Sequence, residues 1–166
     1  LGKGDIREPF LEIVHGDGST TSDFVCRDFY MDRGKPPFKT LPGSFGTAQE
    51  IEHLCVTLTD RSYGLELELH YYVYEERDVI ARSARLINRS DREIGLRRMM
   101  SLQIDFDGTN FDFTTFGGAW AREMNRRTVT VSGGKCVNAS FTGTSSSRAN
   151  PFVMLSAPGT TEEAGD

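Results

Sequence analysis

The sequence predicts an all-β protein, an antiparallel β-sandwich of the supersandwich type with little or no helix. Apolar and polar residues alternate along several short segments, as they do in strands that bury one face. Turn-favouring residues separate these segments, and no amphipathic stretch with a 3.6-residue period extends over three turns. Short consecutive strands joined by tight turns are typical of antiparallel sandwiches.

Predicted strands occur along the whole chain. The clearest is residues 64–74 (GLELELHYYVY), whose period of two indicates a half-buried antiparallel strand. A similar alternation at 54–59 precedes it, and the turn-favouring residues at 60–64 predict a hairpin between the two. The other predicted strands, in chain order, are residues 10–15, 23–31, 78–88, 93–105, 127–132 and 152–156.

Turns and loops separate these strands. The segment HGDGS at 15–19 predicts a hairpin between the first two strands, because Gly and Asp favour tight turns. Residues 34–49 and 133–150 are predicted to be long loops. Loops of this length in a compact domain are usually functional or pack on a neighbour.

Length and charge restrict the class of protein. A chain of 166 residues can bury a substantial core, so we predict a single β-sandwich domain over residues 1–166. The net charge of −5 and the absence of a basic patch argue against a nucleic-acid partner. No apolar run approaches the roughly 20 residues that span a bilayer, so no membrane partner is expected. The chain begins LGKGD without Met and ends TEEAGD, and we expect it to be a portion of a longer protein.

The cysteines indicate a reducing compartment. Cys26, Cys55 and Cys136 are far apart, odd in number and without a C-x-x-C pair, so neither a disulfide framework nor a zinc site is expected. We interpret them as small buried hydrophobic residues and predict a cytoplasmic location.

No segment carries convincing catalytic or metal chemistry. DFDGTNFD at 105–112 resembles the opening of a calcium loop, but position twelve, which needs a bidentate Glu, is Phe116. Asp105 and Asp107 would lie on one face of a strand, as a glycosidase pair could, yet neighbouring acids at a strand end are common. The histidines His15, His53 and His70 are interpreted as sheet-face residues. We therefore expect no catalytic residue, no metal and no cofactor in this chain.

Six segments, taken together and in order, resemble the N-terminal domain of glycoside hydrolase family 36, the bacterial α-galactosidases. They are GDIREP (4–9), DGSTTSDF (17–24), GKPPFKTLPGSF (34–45), DVIARSARLIN (78–88), GGAWARE (117–123) and GTSSSRANPF (143–152). The last departs from the family pattern: the preceding Arg pair is missing, and Arg148 and Ala149 replace residues that are often His or Gln.

The resemblance implies an N-terminal β-supersandwich, a central (β/α)₈ barrel and a small C-terminal β domain. It implies that the full-length protein is a retaining α-galactosidase acting on terminal α-galactosides such as melibiose and raffinose. Both catalytic Asp residues would lie on the barrel, so this chain alone is predicted to be inactive. It would serve as scaffold and interface for the catalytic barrel of the same polypeptide, in a homo-oligomer, with the α-galactoside bound mainly elsewhere.

Two alternatives remain open at this point. The parent could be an α-N-acetylgalactosaminidase of the same family. The chain could instead be a stand-alone carbohydrate-binding β-sandwich, which would need a row of exposed aromatic rings for stacking sugars. Tyr72 and Tyr74, on the polar-face side of their strand, and the neighbouring Tyr30 are the candidates for such a row.

Three residues are candidates for binding or domain contact: Trp120, Arg122 and Asn150. Trp120 is the single tryptophan, and the preceding Gly117 and Gly118 permit a turn or a bulge. An aromatic side chain of this size anchors interfaces well, so we interpret Trp120 mainly as a packing or domain-contact residue. Direct lining of a sugar pocket and burial in an isolated core are the alternatives.

Overall fold

The computed structural model describes residues 8–163, so the first four residues of the GDIREP segment lie outside the described part. All strand pairings are antiparallel, and the helical content of the described residues is one 3₁₀ turn at Glu75–Arg77. This confirms the predicted all-β class and is consistent with a β-sandwich. The strands are Leu11–Val14 (β1), Val25–Arg33 (β2), Glu52–Asp60 (β3), Leu65–Tyr74 (β4), Val79–Asn88 (β5), Gly95–Met99 (β6), Asp112–Ala119 (β7), Arg122–Thr130 (β8) and Val153–Ser156 (β9).

The chain divides into two compact units, Leu1–Ile104 and Asp105–Asp166. The first contains a four-stranded sheet in the order β2-β3-β4-β5 and a separate β1-β6 pair. The second contains a three-stranded sheet in the order β8-β7-β9. The assignment of residues 1–166 to a single domain stays a prediction.

One predicted hairpin is confirmed and the other is wrong. Strands β3 and β4 pair along their length, and the turn at 60–64 joins them. The segment at 15–19 does form a turn, in which the N–H of Gly18 donates to the carbonyl of His15 at 2.8 Å. However, residues 20–24 form no strand, and β1 pairs with β6 whereas β2 pairs with β3. The turn therefore sends the chain from one sheet to another.

The face of β4 that was predicted to be polar is buried at one end. Tyr72 and Tyr74 are only 6% and 9% exposed and pack with Ile51. The loop after β2 covers them: Lys35 lies with its Nζ 5.1 Å from the centroid of the Tyr72 ring. The proposed sugar-stacking row is therefore wrong, because two of its three rings are inside the core and only Tyr30 is exposed.

Two histidines are part of this buried face. His53 on β3 places its Nε2 3.0 Å from Nδ1 of His70 on β4, and its ring stacks on Tyr72 at 4.4 Å. Burial, followed by the neighbouring His70, lowers the pKa of His53. A neutral His53 suits this packing, since a charged imidazole would be costly to bury.

The second half of the chain departs most from the sequence prediction. The strand predicted at 93–105 ends at Met99, so Asp105 and Asp107 do not share a strand face. Strand β7 was not predicted, and β8 begins at Arg122 instead of residue 127. The turn-rich sequence just before β7, and the glycine pair near its end, obscured a segment that contains strand-favouring Phe and Thr.

The cysteines also differ from the expectation that all three are buried. Cys55 is buried on β3, but Cys26 on β2 and Cys136 in the loop after β8 are exposed. All three are free thiols. Burial is the main cause of the raised pKa of Cys55.

Membrane-spanning helices and metal-ligand clusters are both absent from residues 8–163. No helix there has the length and apolar composition that a bilayer crossing requires. No three His, Cys, Asp or Glu side chains in this part of the chain are grouped so that they could hold a metal ion.

Candidate functional site

The candidate residues Trp120 and Arg122 lie at the tip of the β7–β8 hairpin. Ala119 pairs with Arg122, so Trp120 and Ala121 form a two-residue turn. Ala121, the second central residue of the turn, has a φ of 59°, in the left-handed region that residues with a side chain seldom adopt. Its N–H donates to Oε1 of Glu123 at 2.9 Å, which gives a polar anchor to a residue in an uncommon conformation.

The two glycines before Trp120 form a β-bulge, one of the two conformations that the sequence indicated. The register of β7 against β8 shifts between Gly117 and Ala119, and Gly118 has a φ of 152°. A Cβ on Gly118 would lie 2.0 Å from the carbonyl oxygen of Arg122. A Cβ on Gly117 would lie 2.6 Å from the carbonyl oxygen of Arg148. Both positions therefore need glycine because another part of the backbone approaches too closely for any side chain.

Asn150 connects this hairpin to the long loop that follows β8. Its backbone N–H donates to the carbonyl of Phe116 at 2.9 Å, and its side-chain Nδ2 donates to the same oxygen at 3.2 Å. Nδ2 also lies 3.3 Å from Sδ of Met124 on β8. Asn138 in turn donates to the carbonyl of Asn150 at 2.7 Å. These contacts hold the hairpin against the loop at the position of the bulge.

The hairpin presents Trp120 to solvent. Trp120 is 91% exposed, which makes the interpretation as an isolated core residue wrong for this chain. Arg122 is also exposed, and its guanidinium has no ion-pair partner within residues 8–163. The structure therefore brings the three candidate residues to one sheet: two lie on the hairpin turn, and Asn150 fixes the strand that leads to it.

The chemistry of this site is that of a contact surface. An indole and a guanidinium on a braced turn can pack on an apolar or aromatic surface and donate hydrogen bonds to its carbonyl and carboxylate groups. Trp and Arg are enriched among the side chains that dominate binding energy in interfaces. Residues 117–123, which form the bulge and the turn, include no Ser, Cys or His that could serve as nucleophile or general base.

Sequence reasoning missed the residues that brace the site. Phe116, Met124 and Asn138 contact Asn150, directly or through its backbone, and none of the three was among the candidate site residues. Phe116 also stacks on Phe152 at 4.9 Å. The sequence offered one weak indication that this loop is braced. Asn138 and Asn150 lie in a segment without a strand pattern, and buried amide side chains usually have backbone partners.

Comparisons with known proteins give one consistent result. Residues 1–166 match the family model described as the glycosyl hydrolase family 36 N-terminal domain. The chain is 35% identical over 166 residues to "Alpha-galactosidase 2" of Hypocrea jecorina, covering 100% of this chain and 22% of that protein. It is also 35% identical over 168 residues to "Alpha-galactosidase AgaA" of Geobacillus stearothermophilus, covering 99% of this chain and 23% of that one.

Comparison with solved structures leads to the same family. The crystal structure of the family 36 α-galactosidase AgaA from Geobacillus stearothermophilus matches with a TM-score of 0.92 and 34% identity, over 98% of this chain and 23% of that chain. The galactosidase domain of AgaSK, an α-galactosidase–sucrose kinase, matches with a TM-score of 0.90 and 33% identity, over 98% of this chain and 22% of that one.

These relatives are much longer than this chain, which spans about a fifth of their length. They come from fungi as well as bacteria, and the match runs from one end of this chain to the other. Sequence motifs, fold and family model agree: the chain belongs to glycoside hydrolase family 36, as its N-terminal domain.

Proposed function

We propose that this chain is the non-catalytic scaffold domain of an α-galactosidase. The full-length parent would hydrolyse terminal α-galactosides such as melibiose and raffinose with retention of configuration. Both units of the chain would belong to one N-terminal domain that supports the catalytic barrel. The observation that carries the proposal is the match of the whole chain to the family 36 N-terminal domain, while most of each relative lies outside the match.

Exposed apolar side chains support a role as an interface. In the second unit the hairpin exposes Trp120. In the first unit Phe29 and Met31, two residues apart on β2, face the same side of the sheet and are 64% and 70% exposed. Contiguous exposed apolar groups usually mark surfaces that another polypeptide covers. We assign these surfaces to contacts with the barrel or with another subunit of a homo-oligomer.

The free thiols of the chain indicate the cellular compartment of the parent protein. Three free cysteines, two of them exposed, suit a reducing environment. We therefore place the parent in the cytoplasm.

An activity assay can test whether catalysis belongs to the full-length parent and not to this chain alone. The full-length parent should hydrolyse an aryl α-galactoside, and the 166-residue chain should not, because the proposed catalytic barrel belongs to the part of the relatives that lies outside the match. Release of the aryl group by both proteins is followed at equal molar concentration. Turnover by the purified chain that disappears in the Asp105→Asn or Asp107→Asn variant would contradict the scaffold assignment.

Trp120 should contribute to assembly and stability more than to sugar affinity. In the full-length parent, Trp120→Ala should weaken the interface by about 2–4 kcal/mol, the usual effect of truncating a buried interface Trp. Thermal unfolding and light scattering report this loss, while the Michaelis constant for the aryl galactoside should change less than about twofold, under 0.5 kcal/mol. Trp120→Phe is the matched control and should retain much of the contact. An intact oligomer with a greatly raised Michaelis constant would instead place Trp120 in the sugar pocket.

A further inference from the structure

A concave feature lies in the first unit, where three turns meet. These are the turn at 15–19 after β1, the turn at 60–64 between β3 and β4, and the segment 90–94 before β6. Between them is an open cleft of about 500 Å³, here called the turn cleft. Its titratable side chains are those of His15, Asp17, Tyr63, Asp91 and Arg92, and Ser62 and Ser90 add hydroxyl groups. The volume is within the range of small-molecule sites, roughly 300–1,000 Å³.

A buried carboxylate fixes one of these segments, the turn at 60–64, to the chain before β2. Asp60 is 1% exposed, and its Oδ1 accepts the N–H of Ser62 at 2.9 Å and of Tyr63 at 3.3 Å. Its Oδ2 accepts the N–H of Asp23 at 2.9 Å, which joins the segment before β2 to the β3–β4 turn. Hydrogen bonds to an ionised acceptor are stronger than neutral ones, so the cleft is built on a preorganised framework.

One wall of the turn cleft is a pair of stacked rings. Tyr63 and the almost wholly buried His15 lie 3.5 Å apart between ring centroids and 12° from parallel. Nε2 of His15 is 2.8 Å from the hydroxyl of Ser22, and the phenol of Tyr63 donates to Oδ2 of Asp17 at 3.2 Å. The backbone N–H of Ser19, and then that phenol, lower the pKa of Asp17, so this carboxylate remains ionised at neutral pH.

The turn cleft also carries polar groups for which the described residues provide no partner. Within residues 8–163, neither the carboxylate of Asp91 nor the guanidinium of Arg92 makes a hydrogen bond or an ion pair, and the hydroxyl of Ser62 makes no hydrogen bond. The chain turns sharply here, because the side chain of Asn88 accepts the N–H of Ser90 at 3.0 Å and donates to the carbonyl of Arg92 at 2.7 Å. Acceptors and donors therefore lie together in a concave site with a fixed backbone.

This mixture of groups selects the chemistry of a ligand. Two carboxylates and one guanidinium leave the turn cleft with a net negative charge, which disfavours phosphate and carboxylate ligands. A hydroxyl group can both donate to a carboxylate and accept from a guanidinium, and neighbouring hydroxyls can engage both at once. The adjacent aromatic wall offers an apolar surface to C–H groups.

We propose that the turn cleft is a binding site for a neutral polyhydroxylated molecule, a mono- or disaccharide. Asp91 and Arg92 would hold neighbouring hydroxyls, Asp17 would accept a further one, and Tyr63 would line the apolar side. The site does not include the Trp120 hairpin and is not catalytic. It does not depend on the proposed scaffold function, and its failure would leave the galactosidase assay unaffected.

Titration of the 166-residue chain with melibiose, galactose and inorganic phosphate tests the proposal. Calorimetry and the NMR shifts of the Tyr63 ring should show saturable binding of melibiose, with a dissociation constant on the order of 1 mM, and none of phosphate. The double variant Asp91→Asn/Arg92→Gln should bind about tenfold more weakly, since charge-assisted hydrogen bonds are lost. Ser62→Ala is a second variant that should weaken binding without changing charge.

Matched controls come from the same turns. Arg61→Ala and Glu93→Gln change exposed charges that do not line the turn cleft, and both should bind as the parent chain does. Thermal unfolding confirms that every variant is folded. Absence of sugar binding at about 50-fold above the expected dissociation constant would overturn the proposal. So would equal weakening by the control variants, or preferential binding of phosphate.

Discussion

Replacing Gly118 by Ala should destabilise the second unit by about 3 kcal/mol or more, through steric overlap and backbone strain together. The new Cβ would lie 2.0 Å from the carbonyl oxygen of Arg122, a distance that only backbone movement can relieve. Movement at this bulge would also disturb the turn that presents Trp120. Chemical denaturation of the chain, followed by far-ultraviolet circular dichroism, measures the effect.

Gly133 provides a closely matched control in the same unit. Its φ of 157° is near the 152° of Gly118, but a Cβ there would meet nothing within 4 Å. Gly133→Ala should therefore cost only the conformational part, about 1–2 kcal/mol. Equal destabilisation by the two substitutions would show that backbone conformation alone, and not the contact with Arg122, requires glycine at position 118.

Asp60→Ala should have an effect of similar size in the first unit. The carboxylate of Asp60 accepts three backbone N–H groups, and its removal leaves donors without partners in a buried position. We expect a loss of about 3 kcal/mol in the free energy of unfolding, because each unsatisfied group costs about 1–3 kcal/mol and water can reach some of them. Urea denaturation measures it.

Two further variants test whether the lost carboxylate, and not substitution at this turn in general, causes the destabilisation. Asp60→Asn retains one acceptor oxygen and should lie between the parent chain and the alanine variant. Arg61→Ala, at the next and exposed position, should stay within about 0.5 kcal/mol of the parent chain, as surface substitutions usually do. A near-normal stability of both Asp60 variants would mean that solvent, and not this carboxylate, satisfies the turn.

The local pattern was enough to predict the strands that alternate most regularly. Residues 64–74 were identified because a period of two is a property of the strand itself, and the structure places β4 at Leu65–Tyr74. Pairing was harder to predict. Leu11 pairs with Met99, far along the chain, and no feature of either segment specifies that partner. The hairpin predicted for β1 was wrong because a turn signal shows where the chain bends but not which strand it then joins.

The burial of side chains and the packing around the candidate site also depend on contacts between segments that are far apart in the sequence. Tyr72 lies on a face with Glu and His residues and was interpreted as exposed, but the loop containing Lys35 covers it. Trp120, Arg122 and Asn150 were identified from family motifs. The hydrogen bonds from Asn150 to Phe116 join residues 34 positions apart, so the way in which the loop braces the hairpin became visible only in the fold.

The uneven exposure of the cysteines has a practical consequence. Cys26 and Cys136 are exposed, one in each compact unit, whereas Cys55 is buried and its thiol has a raised pKa. A maleimide reagent should therefore attach one label to each unit while Cys55 remains unmodified, because the thiolate is the reactive form. The same two thiols can form disulfides between molecules in air, so a preparation kept without reductant would contain covalent dimers and longer chains.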